Sequence, residues 1–299
     1  MKVQFQTVLY HNAPDALKAS LESIATARHL ALEKGMDVEV TLAWGDSTEP
    51  PLFSPDTLAP LQEAFADDVL LTYTAFHMNT GTSLGHNRLA ENTDADFLVL
   101  MNPDILLAPN FLVRMLPAFE DPQVGMVEAR QVPIEHPKVY DTATGEVTWT
   151  SGACTMVRTS CFAALHGYDA DSFFMYFDDV DLSWRARLEG WKLLYDPLTA
   201  VYHAKALDEK GQLTVSTADR VYSPEAIMIL LYKYNWMDAL EETMQGHLRS
   251  PRKTDREAVE RFLRRKEEGR LPKQIDPDHR VSCYIQKDPR MNRYDTKVE

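Results

Sequence analysis

Apolar runs of strand length alternate with segments of helical periodicity through the first hundred residues. Residues 3–10 are β-rich and apolar, and a helical apolar stripe follows between Pro14 and Gly35. The same order repeats, with strands predicted at 38–43 and 69–76 and helices at 58–65 and 83–91. This alternation predicts an α/β fold with a mainly parallel sheet flanked by helices.

The next apolar run, residues 96–101, is typical of a central strand that is buried on both faces. It stops at Asn102-Pro103-Asp104, because proline cannot continue a central ladder. Asp104 should therefore lie just beyond the carboxyl end of this strand. Open α/β sheets bind their ligands at that edge.

The pattern is less regular after Pro109, which opens another predicted helix. We expect a polar loop at 135–145 and a capping box at 254–257 that starts a helix ending before Gly269. The other predicted elements are strands at 124–132, 146–150 and 192–203 and helices at 159–166, 181–189 and 223–234. These elements suggest one domain over residues 1–235 and a helical, charged C-terminal extension over residues 236–299.

Composition and charge narrow the class of protein. The 299 residues carry a net charge of −14, which argues against a general nucleic-acid binder because a phosphate backbone needs a basic surface. From residue 251 onward, however, 14 Lys and Arg face 10 Asp and Glu, so the tail is a separate electrostatic unit. Its basic surface could meet anionic lipid or a partner enzyme, or simply be the solvated side of a packing helix.

The cysteines and the apolar runs bear on location. Three cysteines without C-x-x-C spacing favour a reducing compartment and make a structural zinc site unlikely. No apolar run approaches the roughly 18 residues needed to span a bilayer. We therefore expect a cytoplasmic protein, with any membrane contact peripheral and at the inner face of the cell membrane.

A glycine-containing segment, Asn79-Thr-Gly-Thr-Ser-Leu-Gly-His-Asn87, lies between a strand and a helix. Its glycines would let the backbone approach a ligand closely, and the helix N-terminus could bind a diphosphate. It matches neither the dinucleotide fingerprint nor the P-loop. An ordinary turn with a helix cap remains an equal alternative.

Two other groups of residues offer chemistry. Asp104 could hold Mg²⁺ or Mn²⁺ through oxygen or be a turn residue, and His203, at a strand end, could be a metal ligand or a structural histidine. Asp178, Asp179 and Asp181 follow an aromatic run, and their crowded charges suit a general base. The alternative is an acidic first helical turn.

Taken in order, four segments resemble the inverting nucleotide-sugar glycosyltransferases of family 2, which have the GT-A fold, and look most like their bacterial rhamnosyltransferases. These segments read NTGTSLGHN (79–87), ADFLVLMNPD (95–104), WTSGACTMVR (149–158) and GYDADSFFMYFDDVDLSWRARLEGW (167–191). Their order and spacing are more specific than any single motif. The resemblance covers about residues 3–235.

The resemblance implies roles for particular residues. Asp104 stands where the family has its metal-binding D-x-D carboxylate, with Asn102 in place of the first Asp. Asp179, with Asp178 before it, matches the base that deprotonates the acceptor, and His203 matches a histidine near the diphosphate. Other matches are Tyr10, Asn79, Gly81 and Asn87 around the nucleotide and Gly152, Ala153 and Arg185 around the donor sugar and acceptor.

One departure concerns the nucleotide base. After the second strand the family has an Asp-Asn-x-Ser type sequence that contacts the base, whereas this chain has Trp44 at the place of the acid. Either Asp46 replaces that acid or the Trp44 ring stacks on the base. The identity of the nucleotide is therefore open.

The resemblance implies an inverting, metal-dependent glycosyltransferase that uses Mg²⁺ or Mn²⁺. We expect a nucleotide-diphosphate sugar donor, with rhamnose among the candidate sugars, and an oligosaccharide or lipid-linked glycan acceptor in bacterial surface polysaccharide synthesis. One alternative is an inactive glycan-binding or assembly module with the same fold. A sugar nucleotidyltransferase is a second alternative, although residues 11–14 lack the Gly-rich, basic loop that it would need.

Overall fold

An eight-stranded mixed sheet forms the centre of the computed structural model, which describes residues 1–135, 139–204 and 216–283. The strands are β1 Lys2–Leu9, β2 Glu39–Asp46, β3 Leu70–Ala75, β4 Phe97–Met101, β5 Ile105–Leu107, β6 Val124–Val132, β7 Cys154–Arg158 and β8 Lys192–His203. Their order across the sheet is β3-β2-β1-β4-β7-β6-β8-β5. The first four neighbours are parallel, as the alternating pattern predicts.

Strand direction decides where the polar strand ends meet. β7 is antiparallel to both β4 and β6, and β8 is parallel to β6. β6 and β8 therefore run in the same direction as β1, β2, β3 and β4. The carboxyl ends of all six strands consequently lie at one edge of the sheet, which we call the carboxyl edge.

Helices cover both faces of the sheet. They are α1 Pro14–Glu33, α2 Pro55–Phe65, α3 Gly81–Ala90, α4 Phe111–Met115, α5 Thr159–Ala164, α6 Asp178–Leu188, α7 Thr217–Lys233, α8 Met237–Arg249 and α9 Lys253–Glu267. The largest hydrophobic cluster combines sheet residues with the apolar stripe of α1 and with α4. The Pro14 start and the Gly35 end predicted for the first helix agree with α1, whose first residue is Pro14.

The C-terminal helices share a core with α6 and α7. A second cluster combines Trp184 of α6 and Tyr234 with Leu240 of α8 and Phe262 of α9. On the polar side of this contact, Glu225 of α7 binds both Arg261 and Arg265 of α9. The extension is helical as predicted, and residues 284–299 of it lie outside the described residues, as do 136–138 of the predicted polar loop.

Two predictions about local structure are wrong. Residues 146–150 do not form a strand of the sheet. They make only isolated β-bridges, from Val147 to Tyr140 and from Glu146 to Leu194, and the strand that pairs with β4 is β7. The predicted capping box is also absent, because α9 begins at Lys253 without a side-chain cap. Within the described ranges, no helix combines the length and apolarity needed to cross a bilayer.

Candidate functional site

Asp104 and His203 meet at the carboxyl edge. Asp104 lies between β4 and β5, as the proline-terminated apolar run predicts, and the β5–β8 pairing places Ile105 opposite His203. His203 Nε2 lies 3.4 Å from Asp104 Oδ1, and the Asn102 amide nitrogen lies 3.4 Å from the same Nε2. The three residues that the sequence placed near the diphosphate are therefore neighbours.

The other ring nitrogen of His203 faces inward. Nδ1 lies 3.0 Å from the side-chain oxygen of Gln131 on β6. Sequence reasoning missed Gln131, because a single polar residue near a strand end carries no motif. Its only signal is a polar side chain within an otherwise largely apolar strand.

The residues at this edge fit a divalent cation. A carboxylate oxygen and an imidazole nitrogen 3.4 Å apart are a pair that can share one ion, and the Asp104 side chain is 38% exposed to an incoming ligand. The described residues hold no cluster of three or more His, Cys, Asp or Glu side chains that could bind a metal. Two protein ligands would thus leave positions for water and for the oxygens of a diphosphate.

The acidic cluster begins α6, and its first acid is internal. Asp178 is buried, and its Oδ2 accepts hydrogen bonds from the hydroxyls of Thr82 at 2.7 Å and Ser83 at 2.9 Å. Burial, and then the charge of Asp179, raise the pKa of Asp178 to about 6. Asp178 thereby joins the N-terminus of α6 to the N-terminus of α3.

Asp179 is half-buried and lies against the loop before β7. Its Oδ2 accepts a hydrogen bond from the Gly152 backbone N–H at 3.0 Å, and its Oδ1 accepts one from Val180 at 2.8 Å. The adjacent Ala153 carbonyl accepts a hydrogen bond from the Asn102 backbone N–H at 2.9 Å. Residues 152–153 therefore connect the Asp179 carboxylate directly to the segment that carries Asp104.

The glycine segment is used within the chain. The Gly81 N–H donates to Asn79 Oδ1, and the Thr82 N–H donates to the Phe174 carbonyl. Gly81 has a φ of +65°, and a β-carbon on it would lie 2.2 Å from that carbonyl. Close approach to a ligand was predicted here, whereas the group that approaches Gly81 in the structure is the Phe174 loop. These donors do not fit the expected diphosphate contact.

Asn87 and Arg185 also make contacts within the chain. Asn87 exchanges two 2.8 Å hydrogen bonds with the Tyr168 backbone. Arg185 binds Asp181 and donates to the carbonyls of Leu165 and Gly167. Both side chains hold the segment before α6 in place, which does not fit the implied contacts of Asn87 with the nucleotide and of Arg185 with the donor or acceptor.

Trp44 and Asp46, among the last residues of β2, do not offer a base-binding group in this structure. Trp44 is only 1% exposed and stacks on Phe53, so its faces are not available to a nucleotide base. Asp46 is fully buried and accepts hydrogen bonds from the backbones of Thr48 and Leu52 and from the Tyr73 hydroxyl. Both interpretations of this departure therefore lack the required geometry.

Tyr10 is the exposed aromatic residue at the end of β1. Its side chain is 52% exposed, beside the ring of His11. Asn79 is likewise exposed, although its side-chain oxygen accepts the Gly81 N–H. Of the residues implied around the nucleotide, these two are exposed, whereas Asn87 and Asn102 are half-buried.

Comparisons with known proteins identify the family and the fold. A family model described as "Glycosyltransferase like family 2" matches residues 56–220. An N-acetylglucosaminyl-diphospho-decaprenol L-rhamnosyltransferase of Mycobacterium tuberculosis is 45% identical over 60 residues, which are 20% of this chain and 19% of that relative. Rhamnosyltransferase WbbL of Escherichia coli K12 is 26% identical over 150 residues, covering 40% of this chain and 56% of WbbL. The matches thus cover less than two thirds of either relative.

A solved structure supports the fold. The mannosyltransferase PcManGT from Pyrobaculum calidifontis, in complex with GDP-Man and Mn²⁺, superposes with a TM-score of 0.56 at 14% identity. The superposition covers 92% of this chain and 77% of that protein. The GT-A fold inferred from the sequence is therefore confirmed.

Proposed function

Since this chain belongs to glycosyltransferase-like family 2, we propose that it transfers a sugar from a nucleotide diphosphate to a glycan hydroxyl with inversion at the anomeric carbon. The observation that carries this proposal is the link through residues 152–153. Gly152 binds the Asp179 carboxylate, and Ala153 binds the segment that leads to Asp104. One short loop thus links the proposed general base, Asp179, to the residues proposed to bind the diphosphate.

Asp179 is the proposed general base. Its carboxylate takes the proton of the acceptor hydroxyl while that oxygen attacks the anomeric carbon and the bond from this carbon to the diphosphate oxygen breaks. The hydrogen bonds from Gly152 and Val180 hold the carboxylate in one orientation for this transfer. Attack from the side opposite the leaving group inverts the anomeric configuration.

Asp104 and His203 are the proposed ligands of Mg²⁺ or Mn²⁺. A bound divalent cation would neutralise charge on the leaving diphosphate. Asn102 lies 3.4 Å from His203 Nε2 and would donate to oxygens at the same place. Tyr10 and Asn79, which are exposed, are the proposed contacts to the nucleotide.

Rhamnose is the first sugar to test as donor, supported by the two relatives that are named rhamnosyltransferases. The name of the mycobacterial relative specifies a diphospho-decaprenol-linked acceptor. We extend that class to this chain and propose a lipid-linked glycan of bacterial surface polysaccharide synthesis, reached from the inner face of the cell membrane. The fold alone does not specify this substrate.

A thermal-shift panel of UDP-, GDP- and dTDP-sugars, each with and without Mn²⁺, tests the proposal. A ligand at about 100 times its Kd should stabilise the folded protein by roughly 2.7 kcal/mol. We expect one nucleotide class to shift the melting temperature only when Mn²⁺ is present. No shift across the panel, together with no transfer to a lipid-linked acceptor, would contradict the proposal and favour the inactive module.

A further inference from the structure

Gln131 lies against the inward-facing ring nitrogen of His203. Gln131 is 2% exposed near the end of β6, and its Oε1 lies 3.0 Å from His203 Nδ1. An amide oxygen only accepts hydrogen bonds, so in this orientation of the amide the hydrogen lies on Nδ1. In the neutral imidazole, Nε2 then carries the lone pair.

Glu128 fixes the orientation of the Gln131 amide. Glu128 has no exposed surface, and its Oε1 accepts a long, 3.5 Å hydrogen bond from Gln131 Nε2. Rotating the amide by 180° would place its oxygen against the Glu128 carboxyl group and its NH₂ group against His203 Nδ1. An ionised Glu128 carboxylate only accepts hydrogen bonds, so it selects the amide orientation in which Gln131 accepts from His203.

The lone pair of His203 is thereby directed to the carboxyl edge. Nε2 is the ring nitrogen that lies 3.4 Å from Asp104 Oδ1. We propose that Gln131, itself oriented by Glu128, is a positioning residue that holds His203 in the Nδ1–H tautomer, so that Nε2 is presented beside Asp104. The inference rests on the proposed function only in naming a divalent cation as the partner of Nε2.

The test reads the tautomer directly in the metal-free protein. Long-range ¹H–¹⁵N spectra at pH 8.5 distinguish the two nitrogens of neutral histidine rings, and the spectrum of His203→Asn assigns His203. We expect hydrogen on Nδ1 in the wild type and a mixture of tautomers in Gln131→Met, which keeps the side-chain length but loses the strong acceptor. Mn²⁺ affinity, measured by EPR of the free ion, should fall roughly 10- to 100-fold in Gln131→Met.

Two further variants separate positioning from general packing. The double exchange Glu128→Gln/Gln131→Glu keeps an acceptor opposite Nδ1 and should retain the wild-type tautomer and Mn²⁺ affinity. Gln6→Leu is the matched control, because Gln6 is also a buried glutamine beside a histidine, 3.3 Å from His86. It should leave the His203 signals unchanged.

Hydrogen on Nε2 in the wild type would overturn the proposal, whatever the variants do. The same tautomer in Gln131→Met as in the wild type would also overturn it. Failure of the wild type to bind Mn²⁺ would count against the proposed cation site, but the tautomer measurement would still decide the role of Gln131. The two failures are therefore distinguishable.

Discussion

The first turns of α3 and α6 both carry polar side chains, but these side chains contact different parts of the molecule. At α3, the donors of Gly81 and Thr82 bind Asn79 and Phe174 of the same chain. At α6, Asp179 is half-buried and lies against the loop before β7, which binds the segment that carries Asp104. One helix start is scaffold, and the other is the proposed catalytic centre.

Asp178 explains the difference. Its carboxylate accepts from the Thr82 and Ser83 hydroxyls in the first turn of α3, which is where an external anion was expected. The chain therefore supplies its own acid to that helix end. A motif with the composition of an anion site can thus be a contact between two helices.

Among the variants that test this difference between the two helix starts, we expect the largest effect from replacing the proposed general base, Asp179. Asp179→Asn should keep the hydrogen-bonding shape but remove the proton acceptor, lowering the single-turnover rate of transfer by about 10²- to 10⁴-fold. Nucleotide binding, measured by calorimetry, should persist. Asp171→Asn, at an exposed acid of the preceding loop, is the control and should transfer normally. A rate for Asp179→Asn within threefold of wild type would remove Asp179 as base.

The next effect concerns the ion pairs that hold the start of α6. Lys233 is buried and lies 2.7 Å from Asp169 and 2.6 Å from Asp181. Lys233→Met would leave two acids without this cation, so we expect a loss of about 3–5 kcal/mol in the free energy of unfolding, measured with urea.

The matched control for Lys233→Met is Lys192→Met. Lys192 forms a 2.9 Å pair with Asp121, but both side chains are about 40% exposed (38% and 41%), so its loss should cost less than about 1 kcal/mol. Equal losses in the free energy of unfolding for the two variants would show that the buried ion pairs of Lys233 do not stabilise the start of α6.

The contact between the two helices has a pH signature. The pKa of Asp178 is raised to about 6 in the folded protein from the 3.8 of an unperturbed Asp. The folded state therefore binds the proton more tightly, so this group's contribution to stability is present below pH 4 and is lost as pH rises through 6.

Asp178→Asn removes the titrating group and with it this loss of stability at rising pH. Relative to wild type, the variant should gain on the order of 2–3 kcal/mol in the free energy of unfolding between pH 4 and pH 7. Urea unfolding of both proteins at the two pH values measures this difference, and comparison with wild type cancels the shared groups that do not interact with Asp178. A difference that does not change with pH would contradict the assigned environment of Asp178.

The smallest effect tests the scaffold role of Asn87. Asn87→Ala removes two hydrogen bonds to the Tyr168 backbone and should cost about 1–2 kcal/mol in the free energy of unfolding. Nucleotide affinity, measured in the folded variant by calorimetry, should be unchanged. A large loss of affinity without a loss of stability would return Asn87 to the nucleotide site.

The sequence predicts the parts of the fold that local patterns determine. The apolar run ended by Pro103 placed Asp104 correctly, because burial and the missing N–H of proline act within a few residues. The strand predicted at 146–150 was wrong since its pairing depends on β4, about fifty residues away, which selects β7 instead.

The roles of the site residues depend on longer contacts. Asp178 and Asp179 are adjacent, and long-range contacts distinguish them: the hydroxyl groups of α3, nearly one hundred residues earlier in the chain, bind Asp178, and Gly152 binds Asp179. Trp44 is similar, because its burial depends on stacking with Phe53 from the following connection. No spacing rule in the sequence reveals either contact.

We propose that ligand binding occurs at the Asp104 side of the carboxyl edge. The direct test is a calorimetric titration with the nucleotide identified by the thermal-shift panel, with and without Mn²⁺, for wild type, Asp104→Asn and Asn87→Ala. We predict that Mn²⁺ strengthens binding to wild type and to Asn87→Ala but not to Asp104→Asn. Equal Mn²⁺-dependent affinity in Asp104→Asn and wild type would contradict ligand binding at Asp104.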